Sequence, residues 1–466
     1  MEGRENKKCK IRIFVLILFL TASTTFLPFR SFGGDMEILL DKLVGKGILT
    51  KPEAEGILKE MKETKGMEKG KAEVQGAKTE EKKVESPEWV KNLPDWITNP
   101  PGWIKNMKLS GDLRLRYEYG HRDTTPNDDR ERNRARFRWR VGADTKIIDD
   151  VTVGFGVASG SGDPRSIDQT FDSSFSKKPV NINYAFAQYK PLPWLSLEGG
   201  KLRTIPIFRA NSLGAWPSEV AWDNDITPEG AAVVLNYPGV LDLDPINLDV
   251  FMNDGFFLLD ENNPSGSGRE PYFYVIQPGF NLKIMKDLNF KAAIAKYLFY
   301  GVKNQPQLKF SSNSNTLLET GRYKFDYDAW VGTAEFGINN PMHQKIIPYV
   351  GLFGEYVYNP DPDTQREAFL AGVRLGYPSI KKFGDWQLSY AYRKLEKDAW
   401  LDIFPDSTFY SGATNVKGHK AAVYFGLAKN LSCDVNYFHS VNILPNITLP
   451  RERPEDILQL DIQFNF

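Results

Sequence analysis

The stretch Arg134-Ala-Arg-Phe-Arg-Trp-Arg-Val-Gly-Ala-Asp144 decides how this chain folds. Its apolar residues occupy alternate positions, and four arginines and an aspartate fill most of the positions between them. The apolar set is Ala135, Phe137, Trp139, Val141 and Ala143, and the charged set is Arg134, Arg136, Arg138, Arg140 and Asp144. A period of two predicts a β-strand with one apolar face and one polar face.

The same alternation recurs along most of the chain. It begins at Met107–Tyr119, where Arg114 and Arg116 lie on the polar face, and it closes the chain at Leu458–Phe466. Altogether residues 106–466 contain about sixteen such stretches, separated alternately by short turns and long loops. The first long loop is expected at 120–131 and the third at 204–229. An even number of strands with connections sorted by length is typical of an outer-membrane β-barrel.

The cost of burying charge decides which face points outward. An arginine on the lipid face costs about 2–4 kcal/mol at mid-bilayer, so four of them would match a total stability of about 5–15 kcal/mol. The arginines are therefore expected inside, with Phe137 and Trp139 against lipid. Unpaired charge cannot sit in a dry core, so we expect the interior to hold water. Lys296 is the exception: its strand places it outward, where it must extend toward the membrane surface.

The residues before the barrel divide into three segments. Residues 1–34 carry basic residues followed by a short apolar run, which indicates a secretory signal peptide. Residues 35–62 predict a helical hairpin, either a small self-packed cap or a contact for self-association or the cell wall (peptidoglycan). Residues 63–105 form a charged linker and a seven-residue Pro/Trp repeat. Its tryptophans suit either a membrane boundary or the protein's own surface.

Composition excludes several classes of function. Lys plus Arg and Asp plus Glu both number 59, so the net charge is zero and nucleic-acid binding is not expected. The four histidines are scattered without ligand spacing, and Cys433 remains alone once the signal is removed. We therefore expect no metal site, no cofactor and no enzymatic activity.

Three segments carry a resemblance to a known family. The opening strand of the bacterial putative porin family resembles Trp103-Ile-Lys-Asn-Met-Lys-Leu-Ser-Gly111-Asp112-Leu-Arg114-Leu-Arg116, and an internal motif of that family resembles Trp222-Asp-Asn-Asp225-Ile-Thr-Pro228-Glu229-Gly230. The terminal Phe466 is similar to the signal that the barrel-assembly machinery reads in outer-membrane proteins. The resemblance implies passive diffusion of small hydrophilic solutes through a barrel set in outer-membrane lipid and lipopolysaccharide. Phosphate-selective porins are a near neighbour, and classical porins imply a homotrimer.

These expectations define a candidate site in the pore. The six arginines, Arg114, Arg116, Arg134, Arg136, Arg138 and Arg140, form either an anion-attracting row or a salt-bridge network that stiffens the wall. Loop 204–229 holds Glu219, Asp223, Asp225 and Glu229. If it folds inward, as the third loop does in classical porins, these acids face the arginines across a constriction and set ion preference. A plugged structural or adhesion barrel is the alternative.

Overall fold

A computed structural model describes residues 100–125, 128–212, 217–261, 270–341, 346–444 and 453–466. The predicted signal peptide, the helical hairpin and the linker up to residue 99 lie outside the described residues. The last Pro/Trp repeat contains a single-turn helix, α1 (Gly102–Lys105). Among the residues that the structure describes, no helix has the length and apolar character needed to cross a membrane.

Strands make up most of the described chain. They are β1 (Lys108–Thr125), β2 (Asp128–Ile148), β3 (Val151–Ser159), β4 (Gln169–Thr170), β5 (Val180–Leu192), β6 (Leu195–Lys201), β7 (Glu229–Leu243), β8 (Ile246–Leu258), β9 (Tyr272–Ile284), β10 (Leu288–Tyr300), β11 (Trp330–Asn339), β12 (Tyr349–Tyr358), β13 (Glu367–Gly376), β14 (Trp386–Leu395), β15 (Val416–Ala428), β16 (Leu431–Asn442) and β17 (Glu455–Asn465).

These strands close into an antiparallel barrel. Each long strand pairs with its neighbours in sequence, and β17 returns to pair with β1. The two-residue β4 only extends the wall beside β2, so sixteen long strands form the barrel, as the sequence predicts. Closure pairs every strand on both sides and leaves no open edge, which a structure crossing lipid requires.

The connections are sorted by length between the two ends of the barrel. The turn side carries short links such as 149–150, 193–194, 244–245 and 429–430, and the loop side carries long ones such as 202–228, 301–329 and 396–415. The predicted first long loop is wrong, because β1 and β2 continue through residues 120–125 and 128–131 as a paired hairpin.

The two faces of the strands point as predicted. Across β1 and β2 the register pairs Arg116 with Arg136 on one face and Leu115 with Phe137 on the other. Leu115 is 42% exposed on the outside of the barrel, whereas Arg116 is 7% exposed within it. The outer face is therefore the apolar one. Lys296 points outward in β10, and its amine reaches the Asp328 carbonyl oxygen at 2.9 Å.

Part of the interior is a packed apolar core, which the sequence analysis did not expect in an interior predicted to hold water. Loops 202–228, 301–329 and 396–415 fold into the barrel and bring their own aromatic side chains. Trp222, 1% exposed, packs with its ring centroid 4.3 Å from that of Phe404 and 5.7 Å from that of Phe273. The strands behind this core present apolar rather than charged residues, including Phe273, Tyr297, Phe299 and Val357.

Buried hydrogen bonds fix these three loops to one another. Trp400 Nε1 donates to the Ala221 carbonyl oxygen at 2.7 Å, which joins loop 396–415 to loop 202–228. Asp402 accepts from the Ser314 backbone N–H at 2.8 Å and from the Ser311 hydroxyl at 2.9 Å. This carboxylate is fully buried, so its donors lie in loop 301–329 rather than in water. We call this interlocked unit the inner plug.

Candidate functional site

The inner plug leaves an open cavity of about 370 Å³ along the β1–β2 wall. Arginines from the two strands line one side, and acids from the plug line the other. The charged lining residues include Arg114, Arg116, Arg122, Arg130, Arg132, Arg134, Arg136, Arg165, Lys420, Glu118, Asp163, Asp168, Glu219, Asp223, Asp225, Asp406 and Glu455. Basic and acidic side chains are nearly equal in number, and carboxylates such as Glu118 and Asp168 lie among the arginines of the wall.

Three arginines of the wall converge on one aspartate that the sequence did not single out. Asp168 lies just before β4 and accepts from Arg114 at 2.7 Å and from Arg116 at 3.3 Å. Arg136 forms a third ion pair with it at 3.4 Å. The arginines around Asp168 hold the pKa of its carboxyl well below its usual range, against the opposing effect of burial. No periodic pattern marks this residue, because it lies in the connection between β3 and β5.

The other wall arginines are paired as well. Arg134 Nε donates to Glu118 at 2.8 Å, and Arg136 reaches the same carboxylate at 3.3 Å. Arg138 donates to Asp112 at 2.8 Å, and Arg140 pairs with the other oxygen of Asp112.

All six predicted arginines therefore face the interior, but they do not form one continuous lining. Arg114, Arg116, Arg134 and Arg136 border the cavity, whereas Arg138 and Arg140 do not and lie nearer the turn side. Every one of the six has a carboxylate partner. The salt-bridge network of the wall is thus present, and it coexists with the cavity lining.

Three of the four predicted loop acids lie across the cavity from these arginines, joined by Asp406 from loop 396–415. Asp223 accepts from the Ser407 backbone N–H at 2.8 Å and from the Asp225 backbone N–H at 2.9 Å. Glu219 accepts from Lys420 at 3.1 Å.

Burial changes the acidity of two of these carboxyls. Burial and the nearby Asp406 carboxylate raise the pKa of Glu219. Burial and the adjacent Asp225 carboxylate raise the pKa of Asp223 well above its usual range. At a given pH these groups therefore carry less negative charge than exposed acids would.

Glu229, the fourth acid predicted for the constriction, does not border this cavity. It is the first residue of β7, in register with Lys201 of β6. The Lys201 amine lies 2.9 Å from its carboxylate, which is 64% exposed. Glu229 is already part of the barrel wall, so strand β7 rather than loop 202–228 sets the position of its side chain.

The structure explains the residue types at three positions of the motif Trp222–Gly230. Trp222 anchors the plug and donates to the Tyr297 hydroxyl at 3.1 Å. The Pro228 carbonyl oxygen accepts from Leu202, which closes the base of the loop at 2.8 Å. A Cβ at Gly230 would lie 2.0 Å from the Phe256 carbonyl oxygen, so only glycine fits where the loop rejoins the wall.

Arg130 and Arg132 lie at the loop-side mouth of the cavity and were also missed by the sequence analysis. Both are exposed, and neither forms an ion pair with a residue that the structure describes. Arg130 falls within residues 120–131, which the sequence predicts as a loop, and Arg132 lies between that loop and the alternating stretch that begins at Arg134.

The chain terminus is built into the wall. The Phe466 backbone N–H donates to the Gly111 carbonyl oxygen at 3.0 Å, and Gly111 returns a bond to Phe466 at 2.8 Å. The Phe466 ring is 61% exposed on the outside.

A closed barrel of sixteen strands, with an inward-folded loop 202–228 beside a charged cavity that we call the eyelet, is the architecture of a porin, and the family comparison agrees. A family model described as a putative porin matches residues 120–346 and 340–466. This chain belongs to the putative porin family. The porin is accordingly an outer-membrane channel for solute diffusion, and its family and fold are those of a channel rather than an enzyme.

Solved porin structures resemble this porin at low sequence identity. OprB of Pseudomonas putida, at high pH, matches with a TM-score of 0.50 and 12% identity over 80% of this chain and 97% of that chain. The outer membrane channel DcaP of Acinetobacter baumannii gives 0.42 and 12% over 77% and 97%. A Rhodopseudomonas blastica porin triple mutant gives 0.40 and 11% over 77% and 100%. The likeness to OprB supports the barrel fold, and no curated protein matches the sequence.

Proposed function

We propose that this porin passes small hydrophilic solutes by passive diffusion and prefers anions. The observation that supports the preference is the asymmetry of the cavity. Its mouth presents Arg130 and Arg132 without described ion pairs, while the acids opposite the wall, Glu219 and Asp223, have raised pKa values. The positive side therefore outweighs the negative side. A charged row along a low-dielectric wall concentrates counter-ions at the pore entrance.

The test is the current through the purified, folded chain in a planar lipid bilayer with a KCl gradient. The expected result is stepwise conductance with a reversal potential on the chloride side. A reversal potential on the potassium side would contradict anion preference, although diffusion would stand.

A plugged structural barrel is the second candidate, favoured by the apolar core that fills part of the interior. The planar-bilayer measurement distinguishes the two candidates, because a plugged barrel would insert into the bilayer without conducting. Selectivity for phosphate is a narrower form of the proposal: phosphate would then block chloride current at concentrations where sulfate does not.

The proposal extends to the surroundings of the barrel. The outer apolar face meets lipid and, on the loop side, lipopolysaccharide, and Phe466 serves as the recognition residue for the barrel-assembly machinery. The residues before the barrel lie in the periplasm, where the helical hairpin contacts peptidoglycan, and three barrels associate. Crosslinking of intact outer membranes, followed by size analysis, tests the trimer.

A further inference from the structure

A second cavity of about 380 Å³ lies in the interior, apart from the eyelet. Strands β5–β8 and β10 and the first residues of loop 202–228 line it. Its walls carry the rings of Phe186, Phe208 and Phe251 together with the amine of Lys291. Lys291 is the fourth residue of β10, which begins at the turn side, so the cavity lies on the turn side of the inner plug. Volumes of about 300–1,000 Å³ with apolar walls and a few polar groups are typical of ligand sites.

The charge of Lys291 is the uncompensated feature of this cavity. Its amine lies 4.2 Å from the ring centroid of Phe208 and 5.0 Å from that of Phe251. Within the described part of the chain it forms no ion pair. Glu335 faces it in register on β11, but that carboxylate accepts from Ser212 at 2.8 Å and lies 3.5 Å from Arg374.

The other charged groups of the cavity already have partners. Arg203 pairs with Asp144 and donates to the Tyr184 hydroxyl at 3.0 Å. Glu198 accepts from Gln188 at 2.7 Å. Lys291 is therefore the charged lining residue without a hydrogen-bond or ion-pair partner among the described residues, and its ammonium group would pair with an anion.

The aromatic walls are held in place before any solute arrives. Gln277 accepts from the Phe208 backbone N–H at 2.7 Å and donates to the Phe208 carbonyl oxygen at 2.9 Å, so this loop residue is fixed to β9. The Phe251 ring occupies the space that a side chain at position 279 would need: a Cβ on Gly279 would lie 2.3 Å from the ring. A site whose rings are already ordered loses little entropy when it binds.

We propose that this cavity binds carboxylates that carry a flat apolar body, with Lys291 holding the carboxylate and Phe208 and Phe251 contacting the body. The proposal deepens the channel function and rests on it, because a binding site on the turn side is useful only to a solute that crosses the barrel. A small inorganic anion lacks the surface that the rings would cover. A neutral aromatic solute lacks the charge that Lys291 would pair.

The probe is sodium benzoate, with sodium acetate as the anion that lacks the body. Binding to the full-length, detergent-solubilised chain is measured by saturation-transfer NMR, and block of chloride current is measured in bilayers. Lys291→Gln is expected to weaken benzoate binding at least about tenfold, the loss of a charge-assisted hydrogen bond. Phe208→Leu keeps an apolar side chain but removes a ring, and it is expected to weaken benzoate binding and leave acetate binding unchanged.

Lys283→Gln is the matched control, because Lys283 also faces inward on a neighbouring strand but is paired with Asp249 at 2.9 Å. It is expected to bind benzoate like the parent chain. Equal benzoate binding by the parent and by Lys291→Gln, or acetate binding as tight as benzoate, would overturn the proposal. A barrel that binds benzoate through Lys291 but never conducts would refute the channel and leave the site standing.

Discussion

The Asp168 carboxylate accepts a hydrogen bond from Arg114 at 2.7 Å, and both side chains are almost fully buried. The two residues are 54 positions apart in the sequence, and the contact joins the connection between β3 and β5 to strand β1 of the wall. Arg116 and Arg136 are also in reach of Asp168. Each has a second carboxylate partner, Asp461 for Arg116 and Glu118 for Arg136, so Asp168 is one of several acids that offset the wall arginines.

Asp168→Asn is expected to increase anion preference, because it removes the charge that offsets three arginines. It should also lower the temperature at which the barrel unfolds in detergent, since removing one partner of a buried pair costs about 3–5 kcal/mol. Reversal potential and heat modifiability on gels measure the two effects. Asp163→Asn, which changes the same charge at a more exposed lining position, should leave the unfolding temperature in place.

Arg134→Glu combined with Arg136→Glu is expected to shift the reversal potential toward potassium. The change places two carboxylates on the wall opposite the acids of the plug, so that much of the positive charge of that wall is lost. The charge-matched control is Arg322→Glu combined with Arg366→Glu, neither of which lines the cavity. If both double variants shift the potential alike, the wall arginines do not set the preference.

Anion preference is expected to fall as pH rises. Glu219 and Asp223 have raised pKa values because they are buried beside other carboxyls, so they gain negative charge at higher pH than ordinary acids do. Asp225, Asp406, Lys420 and Arg209 are the other charged groups nearby.

The measurement is the reversal potential from pH 5 to pH 9, in a His121→Gln background because this imidazole borders the cavity. Glu219→Gln combined with Asp223→Asn should flatten the profile. A profile that keeps its slope in this double variant would assign the pH response to other groups.

Trp222→Ala is expected to loosen the inner plug, with a loss of about 3–5 kcal/mol in the free energy of unfolding and a larger, noisier conductance. The indole packs against several rings and bonds to Tyr297, so its removal leaves a void that neighbours cannot fill. Trp330→Leu on the outer face is the control. Unchanged conductance in Trp222→Ala would mean that the plug does not limit the bore.

The sequence predicts the wall well because its determinants are local. A two-residue period fixes the strands, and the cost of an arginine in lipid fixes the direction of residues such as Arg138 and Phe137. Both follow from neighbours within one strand, so no tertiary information is needed. The count of about sixteen strands follows from the same pattern.

The plug and half of the eyelet are not predictable in this way. Asp168 and Asp406 lie in connections without periodicity, and they reach the cavity only through contacts with distant strands. Trp222 and the acids beside it lie in a loop that folds inward, an expectation that rested on likeness to other porins. Glu229 lies at the start of β7, and nothing in the sequence marks where the loop ends and that strand begins.

The division between wall and inner plug has a practical consequence. The seventeen strands pair with one another around the barrel, whereas loops 301–329 and 396–415 lie mainly inside it as part of the inner plug. The diameter of the opening can therefore be tuned by trimming or grafting these loops, while membrane insertion is left to the strands. That separation makes this scaffold a starting point for sensing pores in which analyte size is chosen by loop replacement.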